Sequence, residues 1–163
     1  MKRAVLILAA SLLFSANASA MLITGSVGWG GEFERTGTNY TFDNVEVDYA
    51  TGDLAAAGIA DGDALTVADL DIGSFTPGAH WTLAGFTMTL NSINVIMDMP
   101  AVATVVTGIA TMSGNGFDDT AWSFSYSSNA GGTFSAAAVP EPGSLALLGL
   151  GIAGLAVRRR IAA

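Results

Sequence analysis

The ionisable side chains of this sequence that could do chemistry are mainly carboxylates, together with one histidine. The chain has 14 Asp and Glu residues, one His and no Cys. His80 would suit a Ser-His-Asp hydrolase, but no G-x-S-x-G nucleophile motif accompanies it. A glycosidase needs two carboxylates, yet their abundance here is typical of solvated strand faces and turns. We therefore predict that the protein is not an enzyme and that His80 lies in a loop or at a strand edge.

An acidic run in the middle of the chain is the best candidate metal site. Asp61, Asp63, Asp69 and Asp71 offer the oxygen ligands that Ca²⁺ prefers. The run lacks the D-x-[DN]-x-[DN]-G loop because Leu65 occupies the third ligand position, and it contains no G-G-x-G-x-D repeat. The alternative is a solvated turn followed by a strand face. No P-loop or dinucleotide fingerprint is present, so we predict no cofactor other than this candidate Ca²⁺.

Three tryptophans admit a carbohydrate-binding interpretation, because indole rings stack on pyranose rings. Trp29 lies among glycines in the stretch 28–31, which reads as a turn, so we predict that it is the most exposed of the three. Trp122 belongs to an alternating strand and is predicted to point inward. The alternative is that Trp29, Trp81 and Trp122 are all packing residues of the core.

Length and charge limit the classes of protein that this chain can represent. The 163 residues favour one ordinary domain, and the absence of Cys excludes disulfides and thiolate metal ligands. Five of the six basic residues lie at the two ends of the chain. Between 21 and 138, Arg35 stands alone against thirteen carboxylates, which gives this segment a side-chain charge of −12. A nucleic-acid binder that relies on phosphate contacts is therefore excluded.

Period-two alternation of apolar and polar residues runs through the segment 21–138 and predicts β-strands. The clearest run is WSFSYS at 122–127, and the alternation changes phase near Asp43–Asn44, where we predict a bulge or turn. Further strands are predicted near 45–49, 65–72, 86–90, 93–97, 103–112 and 133–137. Turn dipeptides such as Asn115-Gly116 separate them. Seven or eight short strands indicate an all-β domain, a single β-sandwich or jelly-roll-like fold.

The N-terminus has the three regions of a secretory signal peptide. Lys2 and Arg3 precede the apolar run AVLILAASLLF at 4–14, and the small residues SANASA follow at 15–20. Ala18 and Ala20 fit the A-x-A cleavage pattern, so cleavage after Ala20 is predicted. We therefore expect residues 1–20 to be removed and the rest of the protein to be exported.

The C-terminus has a second targeting pattern in residues 139–163. The prolines of Val-Pro-Glu-Pro at 139–142 stop a helix from extending upstream, and an apolar run, GSLALLGLGIAGLAV, follows at 143–157. Three arginines come next and are predicted to stay in the cytoplasm by the positive-inside rule. The motif consists of Val139, Pro140, Glu141 and Pro142, and the basic anchor consists of Arg158, Arg159 and Arg160.

The combination of Val-Pro-Glu-Pro, a short apolar helix and an arginine cluster resembles the PEP-CTERM sorting signal. The resemblance covers residues 139–160, together with the N-terminal signal peptide. It implies an exosortase substrate from a Gram-negative bacterium that makes exopolysaccharide. Such a protein would be held at the inner membrane, processed near the motif and sent to the cell surface or extracellular matrix. By this resemblance Pro140, Glu141 and Pro142 are recognition positions rather than catalytic ones.

These observations lead to one main functional hypothesis and two alternatives. The main hypothesis is a non-enzymatic surface or matrix protein, with an acidic all-β domain at 21–138, associated with exopolysaccharide in a biofilm. The first alternative is a carbohydrate-binding module or a weak glycan-active enzyme. The second is an uncut protein anchored by a single membrane span.

Overall fold

The computed structural model describes residues 21–99, 102–129 and 132–139. The predicted signal peptide with Ala18 and Ala20, the motif residues 140–142, the apolar run 143–157 and the arginines 158–160 lie outside the described residues. The elements are β1 (Ser26–Thr36), β2 (Asn39–Ala50), α1 (Gly52–Ala56), β3 (Ala64–Leu65), β4 (Leu70–Asp71), β5 (Gly78–Leu83), β6 (Phe86–Met99), β7 (Ala103–Gly114), β8 (Phe117–Ser127) and β9 (Thr133–Ala138).

The strands form one antiparallel sheet, which confirms the prediction of an all-β domain. Its order is β3-β2-β1-β9-β8-β7-β6-β5, and β4 also pairs with β2. The sheet curls until its two ends meet, because Val67 forms an antiparallel bridge with Trp81. Beside this bridge, the backbone N–H of Ala68 donates to the carbonyl of His80 at 2.7 Å. We call this junction, between residues 67–71 and 78–81, the seam.

Local alternation of side chains produces the inner and outer faces of the sheet. In β8, Trp122, Phe124 and Tyr126 are buried, while the serines between them lie on the outer face. The first part of β6 alternates in the same way, with buried Phe86, Met88 and Leu90. Successive side chains of a strand point to opposite faces, so the buried set lines the interior of the curled sheet. The sequence predicted both of these strands and their buried faces.

Aromatic rings from distant strands meet in the interior. Trp29 of β1 stacks on Phe134 of β9, with 4.9 Å between the ring centroids and 6° between the planes. Phe124 of β8 also stacks on Phe134, with 5.4 Å between the ring centroids. Phe42 of β2 meets Trp29 edge to face at 5.4 Å. Large buried rings of this kind dominate the energetics of a core, so the aromatic cluster stabilises the closed sheet.

The glycine-rich stretch 28–31 is part of β1, and the prediction of a turn there was wrong. Gly28 lies beneath the ring of Tyr49, and an added Cβ would stand 2.3 Å from Cε1 of that ring. At Gly31, a Cβ would stand 2.8 Å from a methyl group of Val45. Glycine inside a strand often marks such a close approach or a bulge, and the pairing of β1 with β2 shifts register at both places. The first shift accompanies an outward position of Tyr49, which is 43% exposed.

Two of the predicted irregularities are confirmed. Asn44 adopts a left-handed conformation with φ of 50°, at the bulge expected near Asp43–Asn44. Asn115 and Gly116, with φ of 53° and 78°, form the tight turn between β7 and β8. Positive φ at both central residues is the signature of the type I′ hairpin turn, which Asn-Gly favours.

Candidate functional site

The C-terminal end of the domain is held by hydrogen bonds up to the first residue of the Val-Pro-Glu-Pro motif. β9 ends at Ala138, whose backbone N–H donates to the carbonyl of Gly25 at 3.1 Å. The N–H of Val139 donates to the carbonyl of Ala121 at 2.9 Å. The Val139 side chain is 38% exposed. The folded domain therefore continues into the motif with no intervening linker.

The first described residues are tied to the same part of β8. The carbonyl of Met21 accepts a hydrogen bond from the N–H of Asp118 at 3.0 Å. Ile23 is fully buried, and its N–H donates to Oγ1 of Thr120 at 2.9 Å. Because Asp118 and Thr120 are only a few residues from Ala121, both ends of the domain lie near the first half of β8, a central strand of the sheet.

Comparison with protein families finds the PEP-CTERM protein-sorting motif at residues 138–160. The resemblance noted in the sequence is therefore shown: the chain carries this sorting motif at its C-terminus. The motif implies an exported, membrane-sorted protein that an exosortase processes. Comparison with curated proteins and with solved structures gives no match. Among the described residues, no helix has the length and apolar character needed to cross a membrane.

The carboxylates of the candidate Ca²⁺ site differ in their surroundings. No group of three or more His, Asp or Glu residues among those described is arranged to hold a metal ion. Asp63 accepts a hydrogen bond from the N–H of Ala60 at 2.8 Å. Oδ1 of Asp71 accepts from Thr38 Oγ1 at 2.7 Å and from the N–H of Gly73 at 2.9 Å. These bonds lower the pKa of Asp71, and they use its carboxylate to shape a turn. Asp61 and Asp69 are exposed.

His80 lies in β5, the last strand in the order of the sheet, so it has an edge-strand position rather than a loop position, and its side chain points inside the sheet. It is only 4% exposed, and its ring centroid lies 5.7 Å from that of Phe134 and 6.0 Å from those of Trp29 and Phe42. Burial among these rings lowers the pKa of His80 to about 4, since desolvation disfavours the imidazolium. The imidazole is therefore neutral at physiological pH. The pairing of β5 with β6 shifts register between Ala79 and Trp81, which lets adjacent residues 80 and 81 both be buried.

The tryptophans serve the core rather than an exposed sugar platform. Trp29 and Trp122 are fully buried, and Trp81 is 3% exposed. The prediction that Trp29 is the most exposed was therefore wrong, because β1 continues through the glycines that flank it. The inward position of Trp122 is confirmed. These three rings therefore offer no open surface on which a sugar could stack.

A polar network around Arg35 was not predicted from the sequence. The Arg35 guanidinium binds both carboxylate oxygens of Asp98, at 2.6 and 3.1 Å. It also donates to Tyr40 Oη at 2.8 Å and to Thr104 Oγ1 at 2.9 Å. The network joins β1 and β2 to β6 and β7 across the end of the curled sheet. The single basic residue of segment 21–138 was a signal that an important ion pair could form, but its partner is 63 positions away.

The ion pair also shifts the pKa values of its members. Hydrogen bonds from Arg35 and Thr104 lower the pKa of Asp98, and the Asp98 carboxylate raises the pKa of Arg35. Both groups therefore stay charged across the physiological range. The Arg35 side chain is 15% exposed and that of Asp98 is 35% exposed, so the pair remains partly open to solvent, which screens such pairs.

Proposed function

We propose that this protein is a non-enzymatic component of the cell surface or extracellular matrix, sorted and processed by an exosortase and associated with exopolysaccharide. The observation that carries the proposal is the direct continuation of β9 into the sorting motif at Ala138–Val139. A domain joined in this way would be displayed at the outer side of the inner membrane while its tail is still embedded. The same motif supports our proposal of a Gram-negative surface and a biofilm role.

The hydrogen bonds at the motif also limit where the chain can be cut. The N–H groups of Ala138 and Val139 are bonded to Gly25 and Ala121. A processing enzyme needs an accessible backbone, and a cut before Val139 would require β9 to open first. We therefore propose that processing occurs after Val139, within or beyond the Pro-Glu-Pro sequence.

Mass spectrometry of the membrane and released fractions tests this proposal. Changing Pro140, Glu141 and Pro142 together to Ala should leave the protein uncut in the membrane fraction. A matched control changes Thr76 and Pro77, in the exposed loop before β5, to Ala and should be processed normally. Normal release of the triple variant would contradict sorting. An uncut wild-type protein in cells with an active exosortase would favour the single-span anchor instead.

The absence of enzymatic activity is supported by the state of the best candidate base. His80 is buried among aromatic rings and is neutral at physiological pH, so it is a poor general base for a surface nucleophile. An assay of the purified protein on glycoside and ester substrates tests this. Turnover that is lost in His80→Phe but retained in Ser125→Ala would contradict the proposal.

A further inference from the structure

A pocket of about 290 Å³ opens at the seam between the two ends of the sheet. Its walls come from three separate segments of the chain: the start of β2, residues 69–76 and the strands β5 and β6. The residues that matter for its chemistry are Asn39, Asp69, Asp71, Phe75, His80 and Leu90. A volume of this size suits one small ring-shaped ligand.

One wall of the pocket is rich in hydrogen-bond acceptors. Asp69 is exposed, and Asp71 pairs with Asn39 where β4 meets β2. The hydrogen bonds from Thr38, Gly73 and Ser74 to Oδ1 of Asp71 lower the pKa of this carboxyl, so it is ionised at neutral pH. Among the residues that the structure describes, none that lines the pocket is Lys or Arg.

The lining also includes aromatic and apolar side chains beside the imidazole of His80. Leu90 is buried and Phe75 is partly buried against the core. His80 is nine-tenths or more buried, and desolvation by burial lowers its pKa. It lines the pocket, and a neutral imidazole has one donor and one acceptor nitrogen. This side chain is therefore suited to a ligand that brings a polar group into the pocket.

We infer that this pocket binds one unit of a saccharide, and that it prefers a neutral or amino-bearing sugar to an acidic one. Sugar rings present several hydroxyl donors around an apolar face, which matches the acceptors of Asn39, Asp69 and Asp71 and the ring of Phe75. Two carboxylates with no basic residue repel a uronate and attract an ammonium group. The inference deepens the proposed association with exopolysaccharide and rests on that proposal only for the origin of the sugar.

The single histidine provides a direct test. The full-length exported protein, purified in an uncharged polyoxyethylene detergent that contains no sugar, is titrated with glucosamine, glucose and glucuronate. The readout is the NMR signals of the His80 imidazole, which are unambiguous because the chain has one His. We expect saturable shifts with glucosamine and glucose, with glucosamine binding more tightly. The affinity for glucuronate should be at least about tenfold lower than that for glucose. No saturable shift with any of the three sugars would overturn the inference.

Variants of the pocket lining separate sugar binding from other causes of a shift. Phe75→Leu keeps an apolar side chain but removes the ring, and it should weaken the response to both glucosamine and glucose. Asp69→Asn should reduce the preference for glucosamine over glucose. Asp61→Asn, an exposed turn residue that does not line the pocket, is the matched control and should behave as wild type.

Two outcomes of this experiment would contradict a saccharide site specifically. Methylamine is expected to give no saturable shift, and a response equal to that of glucosamine would identify an amine site instead. Unchanged sugar titrations in Phe75→Leu would place the ligand elsewhere. Because the measurement uses the uncut protein, its failure would leave exosortase processing unaffected, and a failure of processing would leave this titration interpretable.

Discussion

The two halves of the sheet share one core but differ in the chemistry of their outer surfaces. Residues 21–71, which contain β1 to β4, hold ten of the thirteen carboxylates of segment 21–138, and we call them the acidic region. Residues 72–139, which contain β5 to β9, hold three, and we call them the hydroxyl region. Within the hydroxyl region, the stretch 72–97 has no Asp, Glu, Lys or Arg.

The hydroxyl region replaces charge with Ser and Thr on its outer face. Ser123 and Ser135 are exposed there, on β8 and β9. Cross-strand pairs add hydrogen bonds, with 3.1 Å between the hydroxyls of Thr82 and Thr87. Hydroxyl groups keep a strand face hydrated without the repulsion that charges impose. The comparison teaches that the interior determines the fold in both regions, while the exterior is free to differ.

Substitution of Trp29 is the strongest test of whether the two regions depend on one core. It belongs to the acidic region, but it stacks on Phe134 of the hydroxyl region. We expect Trp29→Ala to lower the free energy of unfolding by about 3–5 kcal/mol, because it removes a fully buried ring and leaves a cavity. Urea denaturation followed by far-UV circular dichroism would measure the loss in a single transition. Ser125→Ala, on the outer face, is the control, and two separate transitions in Trp29→Ala would show that the regions unfold independently.

The pH dependence of stability that His80 causes tests the packing at the seam, where the two regions meet. Its pKa is about 4 in the folded protein and 6.5 when unperturbed, so the unfolded chain binds its proton first as the pH falls. Stability from the neutral imidazole is therefore complete above pH 6.5 and decreases toward pH 4. The expected loss between pH 7 and 4 is roughly 3 kcal/mol. The wild-type protein should show this extra slope relative to His80→Phe, and parallel pH profiles for the two proteins would contradict a buried neutral histidine.

The local sequence pattern correctly predicted those strands in which apolar and polar residues alternate without interruption by the paired strand. The WSFSYS run of β8 is such a case, because its aromatic residues all face one way. The pattern failed at 28–31, where the glycines make room for Tyr49 and Val45 of the next strand. Glycine composition alone reads as a turn, and only the identity of the paired strand reveals the close approach.

The pocket and the polar network could not be predicted for a related reason. Asn39 and Asp71 meet because β4 pairs with β2, and His80 joins them only because the sheet closes at the seam. Arg35 and Asp98 meet for the same reason at the end of the sheet. The sorting motif at 138–160 is different, because its recognition depends on a contiguous sequence.

Substitutions of Arg35 test how much its ion pair with Asp98, a polar link between the two regions, contributes to stability. Arg35→Ala removes the partner of Asp98 and a donor to Thr104 and Tyr40, so we expect its urea midpoint to lie between those of wild type and Trp29→Ala. Arg35→Lys keeps the charge but loses the two-pronged geometry and should recover only part of the difference. The effect should shrink as the pH falls through the lowered pKa of Asp98, since the carboxylate is then neutral. Full recovery by Lys would indicate that charge alone matters.

The smallest effect is expected on the surface of the acidic region. Asp43 lies directly opposite Glu32 in the pairing of β1 with β2, and like charges opposite each other are unfavourable. Asp43→Asn should raise stability by ~0.3 kcal/mol at low salt, and the gain should vanish at high salt because solvent ions screen exposed charges. Ser123→Asn in the hydroxyl region is the control and should show no salt dependence. A gain that persists at high salt would point to a cause other than repulsion.

The central claim, that the folded domain is sorted by the motif that continues β9, is tested most directly by the C-terminal residue of the released protein. Intact-mass and peptide mass spectrometry would identify that residue in exosortase-containing cells and in cells that lack the enzyme. The account predicts a chain that ends at Val139 or within the next few residues, found only when the enzyme is present. A released chain that retains Arg158–Arg160, or one that ends inside β9 before Ala138, would contradict it.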